Sequence, residues 1–434
     1  MNDYAFGNYI YEQRKKRGLS QTDLAALLGV TNKAVSKWET GRAKPTTETL
    51  RALARLFGVE VDELLQIREG KSNMEITKIV LTGGPCAGKT TGMSWIQNAF
   101  GDRGYRVLFV PETATELISG GVAPWTCGSN LDYQKCQVAL QLEKEKIFLQ
   151  AARTMQEDKI LIVCDRGAMD NKAYMGDVEF QAVLNSLGLD LVDLRDGYDG
   201  VFHLATAAKG AEEFYTLSNN QARTETPEQA RELDDKLIAA WTGHPHLRVI
   251  GNDADFDGKM KRLVAEIAAL LGEPEPLEIE RKFLIEYPDL KWLESLPNCR
   301  KVDIIQTYLK SGESEEIRVR QRGENGNFVY YQTTKRALSG VKRVEIERRL
   351  TQQEYLTLLM EANTSMHPIR KTRYCLTWDS QYFEIDVYPF WDDQAIVEIE
   401  LSDANAEVRF PRELKILREV TDDASYKNVA LAKL

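Results

Sequence analysis

Histidine, paired cysteine and long apolar runs are what this 434-residue chain has least of. Its four histidines and six cysteines, Cys86, Cys127, Cys136, Cys164, Cys299 and Cys375, include no CxxC pair. Neither a zinc site nor a disulfide framework is indicated, and reduced, buried thiols are expected. No run reaches the about 18 apolar residues that a bilayer span needs, and the N-terminus has no apolar signal core. A cytoplasmic protein with no membrane span is expected. Internal repeats and low-complexity tracts are also missing.

What is present suffices for several packed cores. The composition is 43% hydrophobic and 28% charged, which is not that of a disordered chain. At about 100–200 residues per domain, the length predicts two to four domains. Changes in pattern divide the chain into three, at residues 1–70, 75–272 and 273–434. The net charge of −10 argues against a nucleic-acid binder over the whole surface. That charge is uneven, however. Residues 1–70 hold 11 Lys and Arg against 9 Asp and Glu, and the remainder 45 against 57, so DNA contact belongs at the N-terminus.

In the first segment, Ser20 is placed to cap a helix whose apolar face is Leu24, Leu27 and Leu28, and Gly29-Val30-Thr31 turns into a second helix. Helical spacing points Val35 and Trp38 inward and leaves Asn32, Lys33, Ser36 and Lys37 outward as candidate DNA contacts. The stretch LSQTDLAALLGVTNKAVSKWETGRAKPTTETLRALARLFGVEVDELL resembles the Cro/C1-type (Xre) family. The resemblance implies a recognition helix in the major groove, paired half-sites and hence a homodimer. A helical protein-interaction module of the same fold is the alternative.

From residue 78 to about 271, apolar strand-like runs at 78–81, 106–110, 160–164, 200–204 and 247–250 alternate with helical patterns, which predicts a parallel sheet covered by helices. A complete phosphate-cradling motif follows the first run: Gly83-Gly84-Pro85-Cys86-Ala87-Gly88-Lys89-Thr90, with Thr91 next. Backbone N–H groups at a helix N-terminus can hold phosphate oxygens, Lys89 can bridge the outer phosphates, and Thr90 can ligate Mg²⁺. Asp165, ending the run 160–164, is the candidate second Mg²⁺ ligand. Glu112, beyond the run 106–110, is either a base on an acceptor hydroxyl or a solvated loop acid. The stretch 217–228, before a helix that begins around Pro227, resembles the mobile lid of small nucleoside and nucleotide kinases, which implies that Arg223 neutralises charge on a transferred phosphoryl group. Asn252 either touches the base or forms a turn, the turn being the commoner use of Asn.

The segments GGPCAGKTT, VPETATE, CDRGAMD and NNQARTETPEQARELD resemble the AAA-type ATPase family related to the nicotinamide-riboside kinase domain, and more distantly thymidylate-kinase-like enzymes. The resemblance implies binding of ATP or GTP, with hydrolysis and phosphotransfer both open.

The last segment alternates charge with apolar residues. Glu278, Glu280 and Lys282 share a strand face, and the pattern recurs at Arg318/Arg320, Arg343/Glu345/Glu347, Lys371/Arg373, Glu384/Asp386 and Glu398/Glu400. So many charges of both signs require a polar interior, which a closed antiparallel barrel would supply. The segment resembles the CYTH family, the triphosphate tunnel metalloenzymes, whose opening signature is EIERK. The resemblance implies that Lys282, Arg318, Arg320, Lys335, Arg343, Lys371 and Arg373 grip inorganic triphosphate or another triphosphorylated small molecule. It implies that Glu278, Glu280, Asp386, Glu398 and Glu400 ligate Mg²⁺ or Mn²⁺, and that Glu345 and Glu347 bind metal or orient the cations.

The fold class expected is therefore multidomain: an all-α helix-turn-helix head, an α/β P-loop domain with a parallel sheet, and an antiparallel β tunnel barrel. Three functional readings stand together. One is a P-loop NTPase or small-molecule kinase fused to a triphosphatase. Another is a DNA-binding regulator that senses both phosphate ligands. The third follows from a resemblance of the middle and tail to an insect GTPase family named for a defect in TRP-like channel translocation; against it, no NKxD base-reading motif follows the later strands.

Overall fold

The computed structural model describes residues 3–40, 43–59, 61, 64, 74–214, 226–273, 279–311, 315–339, 342–401 and 406–433. By packing, the chain falls into two compact units: Met1–Ile76 with Gly104–Arg106 and Lys146–Leu161, and the remainder.

Among the described residues the head holds helices α1 Asp3–Lys16, α2 Gln21–Leu28, α3 Asn32–Glu39 and α4 Thr47–Phe57. Ser20 caps α2 as expected, in a reciprocal box with Asp23 that satisfies two end donors. Gly29 then takes φ 64°, a conformation glycine adopts without strain, and aims the chain into α3. The apolar faces converge on Phe6, Ile10, Leu24, Val35, Trp38, Leu50, Leu53 and Phe57.

The middle segment forms a five-stranded sheet of β1 Glu75–Gly83, β2 Arg106–Val110, β3 Lys159–Asp165, β4 Gly200–Leu204 and β5 Leu247–Ile250. Their order is β2-β3-β1-β4-β5, and β4 runs parallel to both β1 and β5. Ile160 to Cys164 are fully buried, as expected of a strand covered on both faces. All five predicted strands are present, and the parallel order brings the carboxyl ends of β1 and β3 side by side, where open α/β sheets place ligands.

The tail is a nine-stranded antiparallel sheet: β6 Ile279–Glu286, β7 Cys299–Tyr308, β8 Glu315–Glu324, β9 Asn327–Ser339, β10 Lys342–Leu350, β11 Ile369–Trp378, β12 Gln381–Val387, β13 Gln394–Leu401 and β14 Ile416–Glu419. The order is β10-β9-β8-β7-β11-β12-β13-β6-β14. One face is apolar, built on Phe283, Ile285, Tyr374, Leu376, Phe383, Ile385 and Val397, and the alternate residues carry the charges. The expected closure into a barrel is not present among the described residues. Among the described residues β10 pairs only with β9 and β14 only with β6, leaving an open sheet. A physical reason is at hand: the charges meet one another across neighbouring strands, and β14 is four residues long with a bulge at Ile416/Arg418.

Most of the middle segment shares a unit with the tail, joined by a buried ionic network. Asp196 accepts from Arg195 and from Arg322 of β8, Arg195 also reaches Glu324, and Arg322 donates to the Gly243 carbonyl. Each charge there is hydrogen-bonded to an opposite one, the condition under which buried ions are tolerated. Tyr382 of β12 adds a hydrogen bond to the His244 carbonyl at 3.0 Å.

Candidate phosphate sites

At the end of β1 the predicted cradle has the backbone it needs. Gly83, Cys86 and Gly88 all adopt positive φ, and Gly88 leads directly into the helix Lys89–Gly101. A Cβ on Gly83 would lie 2.2 Å from the Leu204 carbonyl oxygen, so only glycine fits that approach. Pro85 and Cys86 are half-buried, Ala87 is buried, and Thr90 and Thr91 are exposed at the first turn of the helix.

Beneath the loop is a carboxylate that the sequence reading missed. Asp234, on the helix Pro227–Trp241, accepts from the Gly84 N–H at 2.9 Å, the Thr206 N–H at 3.1 Å and His203 Nε2 at 2.9 Å. Lys209 reaches its other oxygen at 2.9 Å. Burial would raise this carboxyl, but His203 and Lys209 outweigh it and hold it far below the usual carboxylate range. Asp234 therefore fixes the phosphate loop from behind. Asn252 is likewise structural: it donates to the carbonyls of Thr206 and Lys209 and accepts from Lys259.

On the ligand side, Lys89 Nζ lies 3.7 Å from Asp165 Oδ1. Burial, and then the Arg166 charge, lower the Lys89 pKa, and burial raises that of Asp165. Asp165 Oδ1 is buried and accepts no hydrogen bond. An orphaned acceptor beside the first helical turn fits a cation, so Asp165 and the Thr90 hydroxyl are the residues that would hold Mg²⁺.

Glu112 is tied down. Its Oε1 accepts from Arg166 Nε and its Oε2 from Thr115, each at 2.6 Å. Burial works to raise its pKa, yet the charges of Arg166 and Lys89 hold it at about 2. With both oxygens engaged, Glu112 orients Arg166 in this arrangement. Arg166, with φ 67°, was not foreseen; its place directly after Asp165 was the available signal. Arg223 lies outside the described residues.

In the tail, strand register brings the predicted cations and acids together on one face. Arg373 stands opposite Asp386 and donates to both its oxygens at 2.7 Å, and it also reaches Glu398 at 2.8 Å and Glu384. Lys371 donates to Asp386 as well. Lys282, opposite Glu398, donates to it and lies 3.2 Å from Glu280. Arg320 meets Glu347, which also accepts from Thr333 at 3.0 Å. Arg318 and Lys335 continue the same face, opposite Thr333 and Glu316. Arg343 and Glu345 belong to β10, opposite Ala337 and Lys335; their side chains, and all of Glu278, lie outside the described residues.

Of the expected metal ligands, Glu280, Glu398 and Glu400 line one cavity, while Glu278 and the Glu345 side chain lie outside the described residues. No group of three or more acids, histidines or cysteines among the described residues is placed to hold a metal ion. Glu398 and Asp386 are occupied by cations, and Glu400 pairs with Arg248. The cations of this face, Lys282, Arg320, Lys371 and Arg373, are placed where an anion can meet them.

In the head, Val35 and Trp38 are buried as predicted, Asn32, Lys33 and Lys37 are exposed, and Ser36 is half-buried. Asn32 Nδ2 donates to Thr22 at 3.2 Å, which leaves both lysines to project from α3.

Fold and sites define a class: a helix-turn-helix protein joined to a P-loop nucleotide-binding domain and a charge-faced antiparallel sheet. Residues 10–64 match the helix-turn-helix family model, and residues 78–259 the model described as an AAA domain. The inorganic triphosphatase of Nitrosomonas europaea is 35% identical over 161 residues, 36% of this chain and 96% of that protein. By its tail, then, the chain belongs to the family of that protein. A solved inorganic triphosphatase, NE1496, is 30% identical with a TM-score of 0.26, covering 37% of this chain and 96% of that one. The HTH-type transcriptional activator BcrR of Enterococcus faecalis is 38% identical over 64 residues, 15% of this chain. This chain spans 31% of the length of BcrR. No described helix is long and apolar enough to cross a membrane.

Proposed function

We propose that the protein is a DNA-binding phosphohydrolase in which an NTP-binding AAA-type domain and a triphosphatase tail of the CYTH kind act in one chain. The observation that carries the reading is the Lys282, Lys371 and Arg373 group, held on one face by Glu398 and Asp386. The relative whose name gives inorganic triphosphate as substrate supports it over 96% of that relative's length. A triphosphate carries several charged oxygens, and it takes over cations that carboxylates otherwise hold. Water then adds to a terminal phosphorus as the bridging P–O bond breaks, its electron pair remaining on the diphosphate. The flanking cations stabilise that charge. The sheet curling towards the CYTH tunnel, with Arg318, Arg320, Lys335 and Arg343 completing the grip, is part of this proposal.

In the middle domain, backbone N–H groups of residues 83–90 cradle the phosphates, Lys89 neutralises them, and Arg166, set by Glu112, faces the same place. Bound Mg²⁺ would supply charge neutralisation on the outer phosphates. Hydrolysis of ATP or GTP and phosphotransfer to a small acceptor, as in a nicotinamide-riboside-type kinase, share this machinery. A second reading, a regulator whose DNA binding responds to phosphate ligands, is favoured by the head and by BcrR's description as a transcriptional activator.

Phosphate release from inorganic triphosphate, ATP and GTP with Mg²⁺ or Mn²⁺ tests the proposal. Full-length protein should cleave triphosphate and Lys371→Ala should not. Undiminished cleavage by Lys371→Ala would sink the tail assignment.

A further inference from the structure

Three places outside these sites invite a function. Trp125 is exposed with nothing in the structure to show what covers it, and the network of Arg195, Asp196 and Arg322 is wholly buried, so it meets no solute. The third is the seam where β5 of the middle segment meets the charged face of the tail.

Arg248 of β5 pairs with Glu400 of β13, and its Nε lies 3.4 Å from Glu266 on the helix Phe256–Leu270. His246, one residue before β5, presents Nε2 3.6 Å from Glu347 Oε1. That Glu347 oxygen is buried and accepts no hydrogen bond, while its partner oxygen holds Arg320. A cavity of about 240 Å³ opens alongside, with Arg248 and Arg262 on one wall and Glu280, Glu398, Glu400 and Arg409 on the other. Two acids of the tail's charged face are thus held by the middle segment.

We propose that the triphosphate site is composite: His246 is a positioning residue that sets Glu347 and, through it, Arg320, while Arg248 neutralises Glu400 at the edge of the same face. The proposal rests on the triphosphatase reading above. Its chemistry is simple. With Arg248 in place, Glu400 is neutralised and adds no repulsion to an arriving polyanion. With His246 against its free oxygen, Glu347 holds Arg320 at one point along the face. Without Arg248, Glu400 faces the substrate with its cation gone, and without His246 the orphaned Glu347 oxygen loses the neighbour that fixes it.

The test uses full-length protein carrying Arg248→Ala, His246→Ala, and Arg349→Ala as the control. Arg349 joins the same two segments through Asp193 and the Asp196 carbonyl, outside the site. Calorimetric binding of inorganic triphosphate in EDTA, and KM and kcat for its cleavage, are read for each. Arg248→Ala and His246→Ala should each weaken calorimetric binding and raise KM about 10-fold, the usual scale for outer partners that orient ligands. Arg349→Ala should do neither, and Arg248→Lys should recover most of the binding. Unchanged binding in both site variants, or equal loss in Arg349→Ala, overturns the composite site. A wild-type protein that neither binds nor cleaves triphosphate overturns the triphosphatase reading itself.

Discussion

Arg373 and Asp386 face each other across β11 and β12 and share two hydrogen bonds of 2.7 Å, both residues nearly shut off from solvent. Lys371 leans on the same carboxylate, so Asp386 holds two cations at once, with Glu398 and Glu384 supplying further charge to Arg373. Removing one partner of a buried pair strands its mate, at a cost of about 3–5 kcal/mol. Asp386→Ala should therefore destabilise the tail by that amount in urea unfolding. Adding triphosphate should return part of the loss, because the ligand supplies the missing negative charge. Equal destabilisation with and without triphosphate would show that these cations do not meet the ligand.

Glu112 gives a pH prediction. Its folded pKa, about 2, lies below the ordinary 4.5. A depressed carboxylate contributes stability that is fully present above the unfolded value and disappears as pH falls through the folded one. Wild type should exceed Glu112→Gln in unfolding free energy by a constant margin above about pH 5, and the margin should shrink towards pH 2. Nucleotide hydrolysis should also lack a limb near neutral pH that Glu112→Gln removes. Such a limb would make Glu112 the base after all.

Lys89 stands with Thr90 at the start of its helix and 3.7 Å from Asp165. Lys89→Ala should abolish ATP or GTP hydrolysis and leave triphosphate cleavage within about two-fold, since the tail face has its own cations. Loss of both activities would mean that one site serves both reactions.

The sequence was most legible where a residue's role depends on neighbours in the chain. Ser20 as a cap, the glycines of the phosphate loop and the alternation of Lys371 with Arg373 all follow from local geometry, and each stands where expected. Asp234 was not legible, because it lies 150 residues from the Gly84 N–H it accepts from. Its helical surroundings look like those of any solvated acid. The link from Arg248 to Glu400, 152 residues apart, was hidden for the same reason. Barrel closure was not legible: a charged face demands counter-charges, and neighbouring strands of one sheet supply them.

Lys33 and Lys37 project from α3 without burial, while Val35 and Trp38 anchor the helix beneath them. If α3 enters a major groove, each lysine neutralises about one phosphate and releases its counterion. Lys33→Ala with Lys37→Ala should then weaken binding to any duplex and lower the slope of log affinity against log salt by roughly 2. Thermal unfolding should be unchanged, because neither side chain packs on the core. Filter binding or fluorescence anisotropy across a salt series reads both quantities. A slope unaltered by the double substitution would assign the head to protein contacts, the role a helical module of this fold takes when its outward face does not meet DNA.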